Sequence, residues 1–234
     1  MTEPWRALQA RYKAILASGV DPPLRRAGFG KSGSYYRQWV GGDLCRIIHA
    51  DRPKIRVPGH TSFVFDCRFF LAAMWEIFQE GPWNRAKPEG AGILDVRIGY
   101  LCPEKRDLWW DLRPDDSEDH DARVADDLRR RLQEYVLPWF DLFQRPKDIG
   151  DYLSAPEPGP GRYRYGYREI VQDAANLRGA AIAYYAAHEF SLARRMLDLA
   201  DRTVNVPQST ASNADLRRRL ENLMAEKSGT DSRS

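Results

Sequence analysis

The hydrophobic period changes several times along the chain, and each change marks an element. Trp5, Leu8, Tyr12, Ile15 and Leu16 recur at helical spacing behind Pro4, which predicts an amphipathic helix ending before Asp21-Pro22-Pro23. From residue 34 the period drops to two. Segments 34–40 and 44–50 flank Gly41-Gly42-Asp43, a turn able to supply positive φ angles, and read as a hairpin. Phe63, Phe65, Cys67, Phe69 and Leu71 alternate with Val64, Asp66, Arg68 and Phe70, and Leu94, Val96 and Ile98 alternate with Asp95, Arg97 and Gly99. Such alternation suits half-buried strands of an antiparallel sheet with one covered face, rather than the continuous apolar runs of a buried parallel sheet.

Helical spacing returns after the acidic run Asp115-Asp116-Ser117-Glu118-Asp119. Val124, Leu128, Leu132, Tyr135 and Val136 form a stripe that Pro138 ends or kinks. Residues 154–161 (Ser-Ala-Pro-Glu-Pro-Gly-Pro-Gly) hold almost no helix or strand former and mark a linker. Beyond it, Leu177, Ala180, Ala181, Tyr184, Phe190, Ala193, Leu197 and Ala200 fall where a tetratricopeptide-like hairpin places its packing residues, and Leu216, Leu220, Leu223 and Met224 suggest a capping helix. One such hairpin cannot bury its own faces, so it docks on the first domain or on a partner.

The fold class is therefore α+β: an antiparallel sheet of four to five strands with helices on one face, then a helical hairpin and cap. The helices on the sheet are the first one and a long one over 121–143. The domain reading is a sheet unit over 1–153, a linker over 154–162, a hairpin plus cap over 163–227 and a disordered tail over 228–234. A Pro/Gly linker lets the first unit keep its own core, which makes the hairpin ancillary to it.

Composition narrows the class. At 234 residues and 43% hydrophobic content, the core is large enough to need no disulfide, metal or cofactor. A formal charge of +3 gives little support for nucleic acid, although a local basic patch stays open. Cys45, Cys67 and Cys102 are odd in number, widely spaced and set among apolar residues, which fits reduced thiols in a cytoplasmic protein. The longest apolar stretch, 69–78, is interrupted by Glu76 and too short to span a membrane.

Several motifs invite chemistry and yield to simpler accounts. Gly30-Lys31-Ser32 ends like a phosphate loop, but the first glycine of that motif would stand at position 25, which is Arg25. A glycine-rich turn without nucleotide affinity is the reading. The acidic run lacks the glycine and distant glutamate of a calcium loop, whereas carboxylates ahead of a helix favour its N-terminal dipole and Ser117 or Asp119 can cap it. His49, His60, His120 and His188 lie in four separate elements, with Ser62 and Cys45 as the nucleophiles they could serve, so catalytic residues stay unassigned.

Two features point to a binding surface. Trp109 and Trp110 are adjacent; on a strand they point oppositely, one packing under a helix while the other lies at an edge. Arg37, Arg46, Arg68 and Arg97 take one position in each of four expected strands, with Asp66 and Asp95 two residues before the latter pair. In the expected register these arginines line the uncovered face. They would either form cross-strand Arg–Asp pairs or receive an acidic partner, a phosphate or single-stranded nucleic acid, with Tyr35, Trp39 and Phe70 as aromatic neighbours.

Four segments in order also carry a resemblance. Leu24-Arg25-Arg26-Ala27-Gly28-Phe29-Gly30-Lys31-Ser32-Gly33-Ser34-Tyr35-Tyr36-Arg37, the phenylalanine-rich strand 61–71, Arg97-Ile98-Gly99 with Trp109-Trp110, and Val136-Leu137-Pro138-Trp139-Phe140 resemble a bacterial domain-of-unknown-function family, DUF4304, over about residues 5–153. The resemblance implies no catalytic residues. The function expected is a non-catalytic binding protein with an acidic protein partner, of immunity-protein type by analogy; the rival is a hydrolase or transferase with a pocket between sheet and hairpin.

Overall fold

In the computed structural model the described residues are 3–52, 59–78, 92–155, 174–203 and 207–231. The sheet is antiparallel and has six strands: β1 (Gly30–Ser32), β2 (Tyr35–Val40), β3 (Leu44–Asp51), β4 (Thr61–Leu71), β5 (Leu94–Arg97) and β6 (Trp110–Leu112). Their order is β1-β2-β3-β4-β5, and β6 pairs with β4 beyond β5, at Thr61 to Phe63. The sequence reading of four to five strands leaves out β1, and it marks β6 only through the tryptophan pair, because three residues are too few to display a period. The strand expected through Gly99 also ends sooner: the chain turns into the short helix α4 (Ile98–Leu101). A β-carbon on Gly99 would stand 2.0 Å from the Arg106 carbonyl oxygen, so the chain needs glycine where it closes on that loop.

The first helix is longer than its prolines suggest. After α1 (Glu3–Ile15) the chain passes through a π-helical turn, Leu16–Val20, into α2 (Asp21–Arg26), instead of stopping before Pro22. Both prolines sit in the first turn of α2, where a missing N–H costs nothing. The same device recurs downstream. Helix α5 (Glu118–Arg131) runs through a second π-helical turn, Leu132–Val136, into α6 (Leu137–Asp141), so Pro138 redirects the helix without ending it. Ser117 caps α5 by accepting the His120 amide at 3.2 Å. Helix α2 closes with a Schellman arrangement: Gly28, at φ +86°, donates to Arg25 and Phe29 donates to Leu24, which aims the chain into β1.

One face of the sheet carries Tyr36, Ile48, Cys67, Phe69 and Val96, all buried with α1, α5 and α6. Tyr12 meets Phe63 edge-on at 5.1 Å, and Phe69 packs on Trp139, Phe140 and Phe143. The same core continues into the C-terminal helices. Helix α7 (Pro146–Ser154) lies against α8 (Ala174–Ala186), with the Gly150 backbone on the Tyr184 ring. A three-residue turn leads to α9 (Phe190–Thr203), and α10 (Pro207–Asp231) packs on both. Helix α10 continues through 228–231, which composition assigns to the tail; most of the expected linker, 156–162, lies outside the described residues. Tyr185 donates to Glu76 in α3 (Ala72–Phe78), the helix that follows β4.

Candidate binding surface

Register decides which arginines meet. The loop Gly41-Gly42-Asp43 pairs Val40 with Leu44, which sets Arg37 opposite Ile47 and Gln38 opposite Arg46. On β4, Arg68 faces Ile47, and on β5 Asp95 faces Arg68 while Arg97 faces Asp66. Cross-strand partners project to the same side. Arg37, Arg68 and Arg97 therefore share the face opposite the main helical layer, and Arg46 does not.

Arg46 corrects the sequence expectation. It is 5% exposed on the helix-covered face, donating to Gln38 and Asp141 at 3.1 Å and to the Phe143 carbonyl at 3.2 Å. Strand β3 is apolar on both sides (Leu44, Ile48 and Ala50 on one, Cys45 and Ile47 on the other), so its period gave no sign of which side Arg46 would take. Arg46 is a strut between sheet and α6.

On the other face the charges form a ladder. Arg68 reaches Asp66 at 2.9 Å and Asp95 at 3.0 Å; Arg97 pairs closely with Asp107 and lies 3.6 Å from Asp66. His49 Nδ1 stands 3.7 Å from Asp66. Burial pushes the Asp66 carboxyl up, but His49, Arg68 and Arg97 together outweigh burial and hold it below its ordinary value. Trp109, 39% exposed, donates to Asp107 at 3.1 Å and lies under the Arg97 guanidinium at 5.3 Å. Trp110, 8% exposed, is the buried neighbour: it stacks with Phe63 and donates to Asp127 of α5 at 3.1 Å. A small apolar cluster of Cys45, Ile47 and Phe70, flanked by Tyr35, Trp39 and Met74, completes this face.

Arg37 is different. Its guanidinium lies over the Tyr35 ring at 4.6 Å, and among the described residues no carboxylate comes within ion-pairing distance of it. Tyr35 is stacked on His49 at 4.1 Å and 11°, so the cation takes the ring face turned away from β3, toward β1. The residue opposite Arg37 on β1 is Gly30, which has no side chain to cover it.

The remaining candidates separate. Lys31 is bonded to Asp21 at 2.8 and 2.9 Å and Ser32 pairs with Tyr35 in β1, so Gly30-Lys31-Ser32 is an edge strand. Among the described residues, no group of three or more His, Cys, Asp or Glu side chains is placed to hold a metal ion, and no helix is long and apolar enough to cross a membrane. His60 pairs with Asp111 at 2.9 Å, and His120 approaches the Asp111 carbonyl at 3.2 Å. Ser62 stands opposite Asp111 in the β4–β6 register, but no hydrogen bond joins it to His60. Sequence reasoning weighed His49 only as a possible catalytic base, not as the partner of Tyr35 and Asp66, and missed Asp107. A cross-strand stack and a loop carboxylate are products of register and chain reversal, and neither leaves a period to read.

Against known families, residues 20–142, more than half of the chain, match the domain of unknown function DUF4304. The chain belongs to that family. The match runs from the end of the first π-helical turn to the end of α6, so it takes in the whole sheet and every charged residue of the ladder. No curated protein and no solved structure matches the chain.

Proposed function

We propose that this DUF4304 chain is a non-catalytic binding protein that grips an acidic partner protein through the ladder-bearing face of its sheet. The observation that carries this reading is Arg37, a half-buried guanidinium positioned on Tyr35 with no carboxylate partner among the described residues, while its neighbours Arg68 and Arg97 are bonded to aspartates. An arginine fixed on an aromatic ring keeps its outer N–H groups oriented for a carboxylate and loses little freedom on binding one. Trp109 adds a flat, half-polar contact at the other end of the face. The reading includes a bacterial cytoplasmic setting, supported by three buried free thiols, and an immunity-type role by analogy, with the α8–α9 pair as a tetratricopeptide-like second contact.

The test is fluorescence anisotropy with a labelled glutamate-rich peptide, using the full chain and Arg37→Gln. Saturable binding that weakens roughly tenfold or more in the variant, and with added salt, supports the reading. Absence of saturable binding, or equal affinity in the variant, refutes it. Arg68→Glu would not serve as the probe, because it would gather three carboxylates with Asp66 and Asp95 and disrupt the face itself.

A further inference from the structure

The end of the sheet nearest Arg37 has a second property, independent of the ladder. Strand β1 is the terminal strand of the sheet, and all three of its residues, Gly30, Lys31 and Ser32, are exposed. An edge strand presents a row of unpaired N–H and C=O groups, a template for one more strand unless charge, a bulge or a covering element blocks it. Here the blocking device is partly disarmed: Lys31, the charge on the edge, points to the helix side and is held by Asp21.

The charge around this edge is one-sided. Arg25 and Arg26 close α2, which leads directly into β1; both are exposed, and among the described residues neither has a carboxylate within ion-pairing distance. Arg37 lies one strand inward, with its guanidinium on the β1 side of Tyr35. Opposite it, a β-carbon built on Gly30 would meet nothing nearer than the Arg37 carbonyl oxygen at 3.9 Å. That bare position leaves a notch between Arg37 and whatever lies outside β1. A strand added there would run about 10 Å from β2, two strand spacings, which an arginine and a glutamate span together.

We propose that an extended acidic segment of the partner adds to the sheet as a seventh strand alongside β1, with an acidic side chain entering the Gly30 notch to meet Arg37 and others meeting Arg25 and Arg26. The inference rests on the binding reading above and names its mode: main-chain hydrogen bonds supply affinity and the arginines select for acidic sequence. A second copy of this chain is disfavoured by the same charges, since pairing two β1 edges would bring two sets of like-charged arginines together.

Two labelled peptides of equal length and charge separate mode from function: one alternating Glu and Val, able to form a strand, and one alternating Glu and Pro, unable to donate to a ladder. The Glu-Val peptide is expected to bind at least about tenfold tighter than the Glu-Pro peptide. It should slow amide exchange within Gly30–Ser32, and should lose roughly fivefold in affinity with Gly30→Val, a variant that has room to fold but fills the notch. The Arg25→Gln/Arg26→Gln pair should weaken it further. If both peptides bind equally, or exchange at Gly30–Ser32 is unchanged, strand addition is wrong while the binding function stands. If neither peptide binds, both readings fall. A twelve-residue oligothymidylate that binds in place of the peptides, or a dimer of the free chain abolished by Gly30→Val, would replace the acidic segment with another occupant and overturn the proposal.

Discussion

Gly19 and Ala125 join the two π-helical helices at their backbones: a β-carbon on Gly19 would stand 2.4 Å from the Ala125 carbonyl oxygen and 2.8 Å from its Cα. The contact is reinforced by Arg129, which donates to the Ser18 carbonyl at 2.8 Å. Because backbone, and not a flexible side chain, fills the space, the neighbours cannot yield cheaply. Gly19→Ala should destabilise the chain by about 1 to 3 kcal/mol despite the better helix propensity of alanine, read as a lower urea midpoint. An unchanged or raised midpoint would mean that the helices are not in contact there.

Arg46 and Arg37, on adjacent strands but opposite faces, should respond differently to loss of charge. Arg46→Met leaves the Phe143 carbonyl and Gln38 without their donor in a buried site and should cost about 1 to 3 kcal/mol. Arg37→Gln breaks no ion pair among the described residues and should stay within about 0.5 kcal/mol of the parent. Equal losses in urea unfolding would place both side chains in the same environment.

Glu104 and Arg131 give the chain an acid-sensitive clasp. Arg131 donates to both Glu104 oxygens at 2.7 and 3.0 Å and to both Asp127 oxygens at 2.8 and 2.9 Å. Its hydrogen bonds, the largest influence, hold the Glu104 carboxyl at about 2, below the ordinary 4.5. A depressed carboxylate contributes stability that is full above the unfolded value and is lost as pH falls through the folded one. Glu104→Gln should therefore be less stable than the parent at neutral pH, with the gap closing between pH 4.5 and about 2. Because Glu104 lies at the surface, the gap should be modest and shrink with salt. Chemical denaturation of both chains across that pH range measures it, and a gap independent of pH would sink the assignment.

Removing the C-terminal helices should weaken the remainder. A chain ending at Ala155 loses the Tyr184 ring from Gly150, the Tyr184 hydrogen bond to Asp151 and the cover over Ile149, Leu153 and Ile77. Each large apolar side chain laid open costs about 1.5 to 3 kcal/mol, so the thermal midpoint should fall markedly. A truncated chain as stable as the parent would show that the sheet unit is self-sufficient and the helices ancillary.

The candidate surface was half legible. Arg68 and Arg97 stand in strands whose apolar residues alternate cleanly, Phe65, Cys67 and Phe69 or Leu94 and Val96, so the period alone assigned their face. The tryptophan pair obeyed the same rule: Trp110 went inward and Trp109 outward, although which was which depended on how β6 met Phe63. The end of the first helix was misread because Pro22 is ordinarily a terminator, and a π-helical turn ahead of a proline leaves no hydrophobic signature of its own, whereas the helix expected over 121–143 does run through Pro138.

What the amino-acid sequence determined by itself was local: where helices and strands lie, that the sheet is antiparallel, and that residues two apart on a strand share a face, because backbone geometry imposes those periods on each segment separately. What only the tertiary structure decided was the relation between segments. The pairing of Val40 with Leu44 sent Arg46 under α6 and left Arg37 opposite Gly30, and the return of the chain at Asp107 and Trp109 supplied partners for Arg97. Register and chain return are fixed by loop closure and by packing summed over the whole core, and no single stretch of sequence contains either.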